Sequence, residues 1–234
     1  VAINAETATA FTPIEHIFED KKLKPDACVM VYGVYNAGKS TLINALLGRE
    51  EAEVDDVPKT DQVTAYSWDK YTILDTPGVD APIAHEDVTK AQMLKADVII
   101  FVVDPLGTAE EAKTLEVLVE LLAEHKQVFM VFNDKKGLSD EDFIKLKDQT
   151  RDQLQRIAAS RDMSNILKDV PIVKLNAKRA LNGQLKGRPE LVELSGYPAF
   201  RNQLIEFLDG ISPDAVYERL KHELVEFLSA QVKG

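Results

Sequence analysis

The sequence has little cysteine and no excess of basic residues. Cys28 is the single cysteine among 234 residues, so no disulfide can form within the chain, and its apolar neighbours predict a buried strand thiol. Lysine and arginine together number 28 against 39 aspartates and glutamates, which gives a net charge of −11. This balance argues against a nucleic-acid surface on the domain, because contact with a phosphate backbone needs a basic footprint.

Long apolar runs, low-complexity tracts and leader signals are also missing. The longest apolar stretches, such as residues 98–103, are far shorter than the roughly 18 residues that a membrane span needs. No basic segment followed by an apolar core stands at the N-terminus, so we expect a cytoplasmic setting without direct membrane insertion from this chain. The hydrophobic fraction of 45% is ordinary for globular proteins, so we expect a folded chain.

Short apolar runs alternate with helical patterns from residue 27 onward. This alternation predicts an α/β fold with a mostly parallel six-stranded sheet and helices on both faces. The predicted strands are residues 27–32, 63–68, 71–74, 98–103, 128–132 and 172–175, and the predicted helices are residues 40–47, 84–94, 109–125, 140–160 and 189–208. Only Asp69 and Lys70 separate the second strand from the third, which predicts a hairpin and therefore one antiparallel edge strand.

Two further helical patterns flank this core and divide the chain into three parts. We expect an N-terminal helical extension over residues 1–26, a main domain over 27–210 and a C-terminal helix over 211–234. The last helix carries an apolar stripe, formed by Val216, Leu220, Leu224, Phe227 and Leu228, that must be buried. Two alternatives stay open: the stripe packs on the N-terminal helix, or both helices begin a stalk or helical bundle.

Residues 33–41 carry the pattern G-x-x-x-x-G-K-[ST] between a predicted strand and a predicted helix, which is the context that this motif requires. Glycines let successive backbone N–H groups face a polyphosphate. Lys39 supplies a positive charge to the phosphates, and the Ser40 hydroxyl is placed to ligate Mg²⁺. The predicted phosphate-binding residues are Gly33, Tyr35, Asn36, Ala37, Gly38, Lys39, Ser40 and Thr41.

A second motif, Asp75-Thr76-Pro77-Gly78, ends a predicted strand 36 residues after Lys39. A carboxylate at this place suits a second magnesium contact, and the Gly78 N–H can meet a terminal phosphate. The polar loop of residues 49–63 precedes it, and a loop of this length usually serves a function. Thr60 is our candidate for the hydroxyl that closes over the metal, with Thr64 in reserve; a plain strand-edge residue is the alternative for either threonine.

Two stretches after later strands concern the base of a nucleotide: residues 133–136, with the sequence Asn-Asp-Lys-Lys, and residues 176–178, with the sequence Asn-Ala-Lys. Together with the preceding motifs they resemble the translation-factor-related class of GTPases, most closely the Era and TrmE branch and the bacterial dynamin-like proteins. The resemblance covers residues 27–208. It implies that GTP or GDP binds with Mg²⁺, that Thr60 belongs to switch I and that Asp75 begins switch II.

The resemblance further implies that Asn133 stands at the asparagine of the N-K-x-D guanine motif. Ala177 and Lys178 stand at an S-A-K element, with Asn176 in place of the serine. Lys136 departs from the family, because it stands where an aspartate accepts hydrogen bonds from guanine, and an ammonium has no acceptor. We therefore expect weakened guanine binding. Asp134 is a substitute acceptor if the loop shifts, and Lys135 or Lys136 can lie against the base plane.

The sequence also lacks a glutamine that would orient the attacking water, because Val79 stands where several relatives outside this branch place one. The resemblance implies that Asn36 helps to hold K⁺, with a simple loop-turn role as the alternative. The leading hypothesis is a GTP-hydrolysing switch domain, the head of a dynamin-like GTPase, with Lys39, Asn36, Thr60 and Gly78 in catalysis and a nucleotide-dependent homodimer. A degenerate nucleotide-binding scaffold and a P-loop ATPase are the alternatives.

Overall fold

The computed structural model describes residues 12, 15–17, 19, 21, 27–33, 36–52, 64–75, 95–105, 110–163, 167 and 170–233. Within these residues six strands form one sheet in the order β2-β3-β1-β4-β5-β6. The strands are β1 Cys28–Tyr32, β2 Thr64–Trp68, β3 Tyr71–Asp75, β4 Val98–Val103, β5 Gln127–Asn133 and β6 Ile172–Leu175. Every pairing is parallel except that of β2 with β3, so the predicted sheet and its antiparallel edge are confirmed.

Seven helices with defined bounds accompany the sheet in the described part of the chain. They are α1 Lys39–Leu47, α2 Glu110–Ala123, α3 Asp140–Ser160, α4 Ala177–Leu185, α5 Pro189–Leu194, α6 Tyr197–Asp209 and α7 Pro213–Lys233. Residues 12, 15–17, 19 and 21 are also helical. The predicted helix 84–94 lies outside the described residues. None of the helices that the structure describes combines the length and apolarity needed to cross a membrane.

The prediction of one continuous helix over residues 189–208 is wrong. Ser195 and Gly196 separate α5 from α6, because Gly196 has a φ of 79° and so leaves the right-handed helical region. Pro198, in the first turn of α6, suits a new helix start. Helix α4 was not predicted, since residues 176–178 were interpreted only as a base-binding element. The Asn176 side chain caps this helix by accepting from the Arg179 N–H at 2.8 Å.

Strand alternation divides the core between the two faces of the sheet. Val29 and Val31 face one cluster, which includes residues of α1, α4 and α6, whereas Met30 and Tyr32 face a second cluster with α2 and α3. All six residues of β4 are buried, as expected for a central strand covered on both sides. The packed sheet therefore provides a rigid base for the loops at its carboxyl edge.

The C-terminal helix packs at the opposite edge, where the parallel strands begin. Val216 and Leu220 form a small apolar cluster with Ile17 of the N-terminal segment, which agrees with the first alternative for this part of the stripe. Beside them lies a buried ion cluster centred on Asp97. The Arg219 guanidinium donates to Asp97 Oδ1 from Nε at 3.0 Å and from Nη2 at 2.6 Å. The Lys21 ammonium and the Cys28 N–H donate to Asp97 Oδ2.

The same cluster extends to Glu223 and Lys126. Arg219 Nη1 donates to Glu223, and the Lys126 ammonium donates to Glu223 Oε1 at 2.8 Å and to the Ala96 carbonyl at 2.9 Å. Burial, followed by the nearby charge of Arg219, lowers the pKa of Lys126 to about 8. Helix α7 is thus tied to the start of β4 and of β5 by buried charges as well as by apolar contacts.

Candidate nucleotide-binding site

The predicted site residues gather at one edge because the parallel strands end together. The register pairs Val31 of β1 with Asp75 of β3, and Asn133 of β5 with Leu175 of β6. Loops leaving these strand ends therefore meet over the centre of the sheet, where β1 lies between β3 and β4. In open α/β sheets, ligands bind at this edge near the strand where the chain order reverses.

Two glycines of the phosphate-binding loop are required by close contacts. A Cβ on Gly33 would lie 2.3 Å from the Val102 carbonyl oxygen, so the loop leaves β1 directly against β4. Gly38 has a φ of 98°, and a Cβ there would lie 2.2 Å from Nδ2 of Asn133. Larger residues at either position would push the loop away from its neighbours.

Beyond Gly38 the chain enters α1 with its first N–H groups available to a ligand. In the part of the chain that the structure describes, the N–H groups of Gly38, Ser40 and Thr41 make no hydrogen bond to protein. Lys39, whose side chain is buried in the loop, donates from Nζ to the Gly33 carbonyl at 2.9 Å. Unpaired N–H groups at a helix start, beside an ammonium, form a site for phosphate.

Asn133 joins this loop to the start of α4. Its Nδ2 donates to the Ala37 carbonyl at 2.7 Å, and its Oδ1 accepts from the Ala177 N–H at 3.2 Å. Asn133, Ala37 and Ala177 are all nearly inaccessible to water. The predicted residues of the phosphate loop, of β5 and of the segment after β6 are therefore brought together by one side chain.

Lys135 and Asp134 play different parts in the loop after β5. The Lys135 ammonium donates to the Asn36 carbonyl and lies 3.4 Å from Asp104 Oδ2. Asn36 is exposed and has a φ of 59°. Asp134 is buried, and its Oδ1 accepts from the Gly137 N–H at 2.7 Å while its Oδ2 accepts from the Leu138 N–H at 2.6 Å. These bonds hold its carboxylate inside the loop, which disfavours the predicted role as a substitute acceptor for the base.

The first turn of α4 leaves one N–H available. Asn133 accepts from the Ala177 N–H, and Asn176 accepts from the Arg179 N–H. The Lys178 N–H between them makes no hydrogen bond within the described residues. Any hydrogen-bond acceptor, a keto oxygen among them, can bond there.

The predicted metal-binding residues are placed in part. Ser40 is the second residue of α1 and is half-buried, and Asp75 is the half-buried last residue of β3. Hydroxyl and carboxylate oxygens are ligands that Mg²⁺ prefers, so this pair fits the ion. Thr64 lies opposite Asp75 as the first residue of β2, which agrees with its strand-edge alternative. Thr60, Gly78 and Tyr35 lie outside the described residues.

Two residues near the site, and one farther along α1, were not predicted. Asp104 follows β4 and meets Lys135, and Lys174 of β6 donates to the Leu138 carbonyl at 3.0 Å and to Asp140 at 2.8 Å. Asn44 of α1 accepts at Oδ1 from the Ala52 N–H at 2.7 Å and donates to the Ala52 carbonyl at 2.8 Å. The sequence offered a signal for two of these residues. Lys174 is a lysine inside an apolar strand, and Asn44 is an asparagine inside an apolar helix.

The fold and the glycine-lysine loop define a P-loop nucleotide-binding domain. Residues 28–134 match the sequence model of the family described as 50S ribosome-binding GTPase. GTPase Der of Persephonella marina is 30% identical over 213 residues, which cover 79% of this chain and 47% of that protein. An uncharacterized protein of Acinetobacter baylyi is 28% identical over 215 residues, covering 89% of this chain and 48% of the relative. The chain thus spans about half the length of these curated relatives.

Solved structures show the same fold. The LeoA bacterial dynamin GTPase from ETEC superimposes with a TM-score of 0.63 at 18% identity, covering 97% of this chain and 48% of that one. Elongation factor SelB from Methanococcus maripaludis superimposes with a TM-score of 0.51 at 20% identity, covering 80% of this chain and 34% of SelB. The class predicted from the motifs is confirmed: the chain carries a GTPase domain of the translation-factor-related class.

Proposed function

We propose that this domain binds and hydrolyses GTP with Mg²⁺ and acts as the switch-bearing head of a dynamin-like GTPase. The observation that carries the proposal is the phosphate loop, in which the N–H groups of Gly38, Ser40 and Thr41 have no acceptor among the described residues and flank the buried Lys39 in the sequence. Negative charge that develops on transferring phosphate oxygens is stabilised by such fixed donors. Lys39 exchanges its bond to the Gly33 carbonyl for the phosphates when nucleotide binds.

Magnesium, when bound, neutralises phosphate charge and orients the terminal phosphate. In this proposal Ser40 and Asp75 hold it, and Thr60 completes the set in the triphosphate state. The N–H of Gly78 contacts the terminal phosphate. Potassium held by Asn36, and pairing of two domains across their nucleotides, are further parts of the proposal that rest on the family resemblance.

The test is multiple-turnover phosphate release from GTP, with nucleotide binding measured by calorimetry on the same preparation. We expect Mg²⁺-dependent turnover that EDTA removes and that Lys39→Ala abolishes. Lys145→Ala, at an exposed lysine of α3, is the matched control and should retain turnover. Failure of both GTP and GDP to bind would refute the proposal. Turnover that is equal in potassium and sodium buffers would remove only the potassium role.

A nucleotide-binding scaffold with little hydrolysis is the second candidate. It is favoured by Val79 and Lys136, which replace groups that several relatives use in hydrolysis and in guanine binding. Binding that persists without turnover, at high protein concentration and with potassium present, would support it. Size-exclusion chromatography with a non-hydrolysable GTP analogue tests the homodimer, which should elute as a dimer only in the triphosphate state.

A further inference from the structure

The turn after α1 is organised around one side chain, that of Asn44. Asn44 lies inside α1 and is completely buried. Its Oδ1 accepts from the Glu51 N–H at 2.9 Å and from the Ala52 N–H at 2.7 Å, while its Nδ2 donates to the Ala52 carbonyl at 2.8 Å. Its backbone carbonyl accepts from the N–H groups of Gly48 and Arg49. Asn44 therefore sets the path of the chain after α1 from both its main chain and its side chain.

The side-chain bonds of Asn44 reach farther than the end of a helix requires. Gly48, with a φ of 69°, already ends α1 with a backbone bond, whereas the amide holds the chain three and four residues beyond this cap. Ala52 is 4% exposed and belongs to the apolar cluster on this face of the sheet. The nearby ion pair between Arg49 and Glu51 is exposed, so it adds little. The buried amide is consequently the main polar restraint on this turn.

The helix that holds this turn also carries groups of the phosphate site. Ser40, a predicted magnesium ligand, precedes Asn44 by one turn of α1, which is about 6 Å along the axis of a helix. Both residues belong to one continuous run of helical hydrogen bonds, so they cannot move apart without breaking α1. Asn44 consequently holds Ala52 at a fixed position relative to Ser40.

The other end of the connection to β2 is tied to the second predicted metal ligand. Thr64, the first residue of β2, pairs with Asp75 at the end of β3. Residues 53–63, which include Thr60, therefore connect two points that are each fixed to a predicted ligand of magnesium. The chance that a group in a connecting segment meets a site depends on where the ends of the segment are held. Freeing the end at Ala52 lowers that chance and leaves the phosphate loop unchanged.

We propose that Asn44 is a positioning residue for the triphosphate state: it fixes the point at which the segment carrying Thr60 begins, and so favours GTP over GDP. The inference rests on the proposed function, in which Thr60 completes the metal site only when the terminal phosphate is present. A diphosphate is held by the phosphate loop, and the Asn44 side chain directs its three hydrogen bonds to residues 51–52. The affinity for GDP should therefore be independent of this side chain.

Asn44→Leu tests the proposal, because leucine fills nearly the same space and removes all three hydrogen bonds. Calorimetry with Mg²⁺ gives the Kd of GDP and of a non-hydrolysable GTP analogue, and a single-turnover assay gives the rate of hydrolysis. Relative to the wild type, we expect the GDP affinity to change by less than about twofold, the analogue affinity to fall about tenfold and hydrolysis at saturating GTP to slow at least about tenfold. Equal changes in both affinities, or no change in either, would overturn the proposal.

Leu154→Ala is the matched control for stability. Leu154 of α3 is 2% exposed and packs in the cluster on the opposite face of the sheet, so its truncation destabilises the domain without touching the turn after α1. Urea denaturation measures the stability of both variants, and Leu154→Ala should keep the wild-type ratio of the two affinities. If it lowers the analogue affinity as selectively as Asn44→Leu does, the loss follows from lower stability, and the role assigned to Asn44 is wrong.

A second variant covers the case in which Asn44→Leu does not fold, which circular dichroism would reveal. Asn44→Ser removes the direct bonds but leaves room for water to satisfy the freed groups, and it should show the same selective loss of analogue affinity. If the wild type binds neither nucleotide, the nucleotide-binding function itself fails. If the wild type binds both and Asn44→Ser keeps the wild-type ratio of affinities, only the role of Asn44 is refuted.

Discussion

Removing the Asn133 side chain should disconnect the phosphate loop from α4. Asn133→Ala deletes both hydrogen bonds and leaves the Ala37 carbonyl and the Ala177 N–H without partners in places that are 1% and 0% exposed. Each unsatisfied buried group costs about 1–3 kcal/mol, and water entering the vacated space reduces the sum. We expect a loss of about 3 kcal/mol in the free energy of unfolding.

The loss is measured by urea denaturation, and it should lower Tm by roughly 6–12 °C for a domain of this size. Asn133→Asp keeps the acceptor for the Ala177 N–H but places an oxygen against the Ala37 carbonyl oxygen, so it disturbs the phosphate loop selectively. GDP affinity should fall in both variants. Asn202→Ala, at an exposed residue of α6, is the control and should change stability by less than about 0.5 kcal/mol. An Asn133→Ala protein as stable as that control would refute the reasoning.

Three further predictions concern parts of the chain away from the loop. Burial raises the pKa of Cys28 from 9.0 to about 11, so iodoacetamide at pH 8 should alkylate the folded protein about a hundredfold more slowly than the urea-unfolded chain. Because the folded state keeps the thiol proton, this group should lower the free energy of unfolding as the pH rises from 9 to 11. Equal alkylation rates for the folded and unfolded protein would contradict the prediction. Gly196 has a φ of 79°, and a new Cβ there would lie 3.0 Å from the Lys174 carbonyl oxygen, so Gly196→Ala should lower the free energy of unfolding by about 2 kcal/mol in thermal unfolding. Gly187→Ala, at a φ of 60° with no atom within 4 Å of the new Cβ, should cost about 1 kcal/mol. Equal losses would exclude the contact with the Lys174 carbonyl as a cause. Arg219→Met should lower the free energy of unfolding by about 3–5 kcal/mol in urea denaturation, because the buried Asp97 carboxylate loses its guanidinium partner. Lys221→Met, on the exposed face of α7, should cost almost nothing. Similar values for both variants would show that the buried Arg219–Asp97 pair adds little stability.

The strands and the phosphate loop were predictable because their signals are local. Nearly continuous apolar runs identified β1, β4 and β5 within a residue of their observed bounds, and the glycine-lysine motif located the first turn of α1. The break at Gly196 was not predicted, since apolar residues continue at helical spacing on both sides of it. Its cause is the positive φ of Gly196, and the available sequence signal was Gly196 followed by Pro198, which is typical of one helix ending and another beginning.

The connections within the site were not predictable from local pattern. Asn133 was expected near a base, but its pairing with Ala37 joins residues 96 positions apart. Asp134 was expected as a substitute acceptor for the base, whereas its carboxylate accepts from three consecutive N–H groups of its own loop. Such partners depend on how two loops meet over the sheet, and that arrangement is a property of the whole fold.

The ion cluster around Asp97 has a consequence for the order in which the chain acquires its structure. Asp97 bonds to Lys21, 76 residues earlier, and to Arg219, 122 residues later. During synthesis from the N-terminus, β4 can join the sheet long before Arg219 has left the ribosome, so until then Asp97 depends on Lys21 and on the Cys28 N–H. We therefore expect docking of α7 to be a late event in folding, because its contacts close long loops. In this order, α7 docks after the strands that carry the nucleotide site have paired.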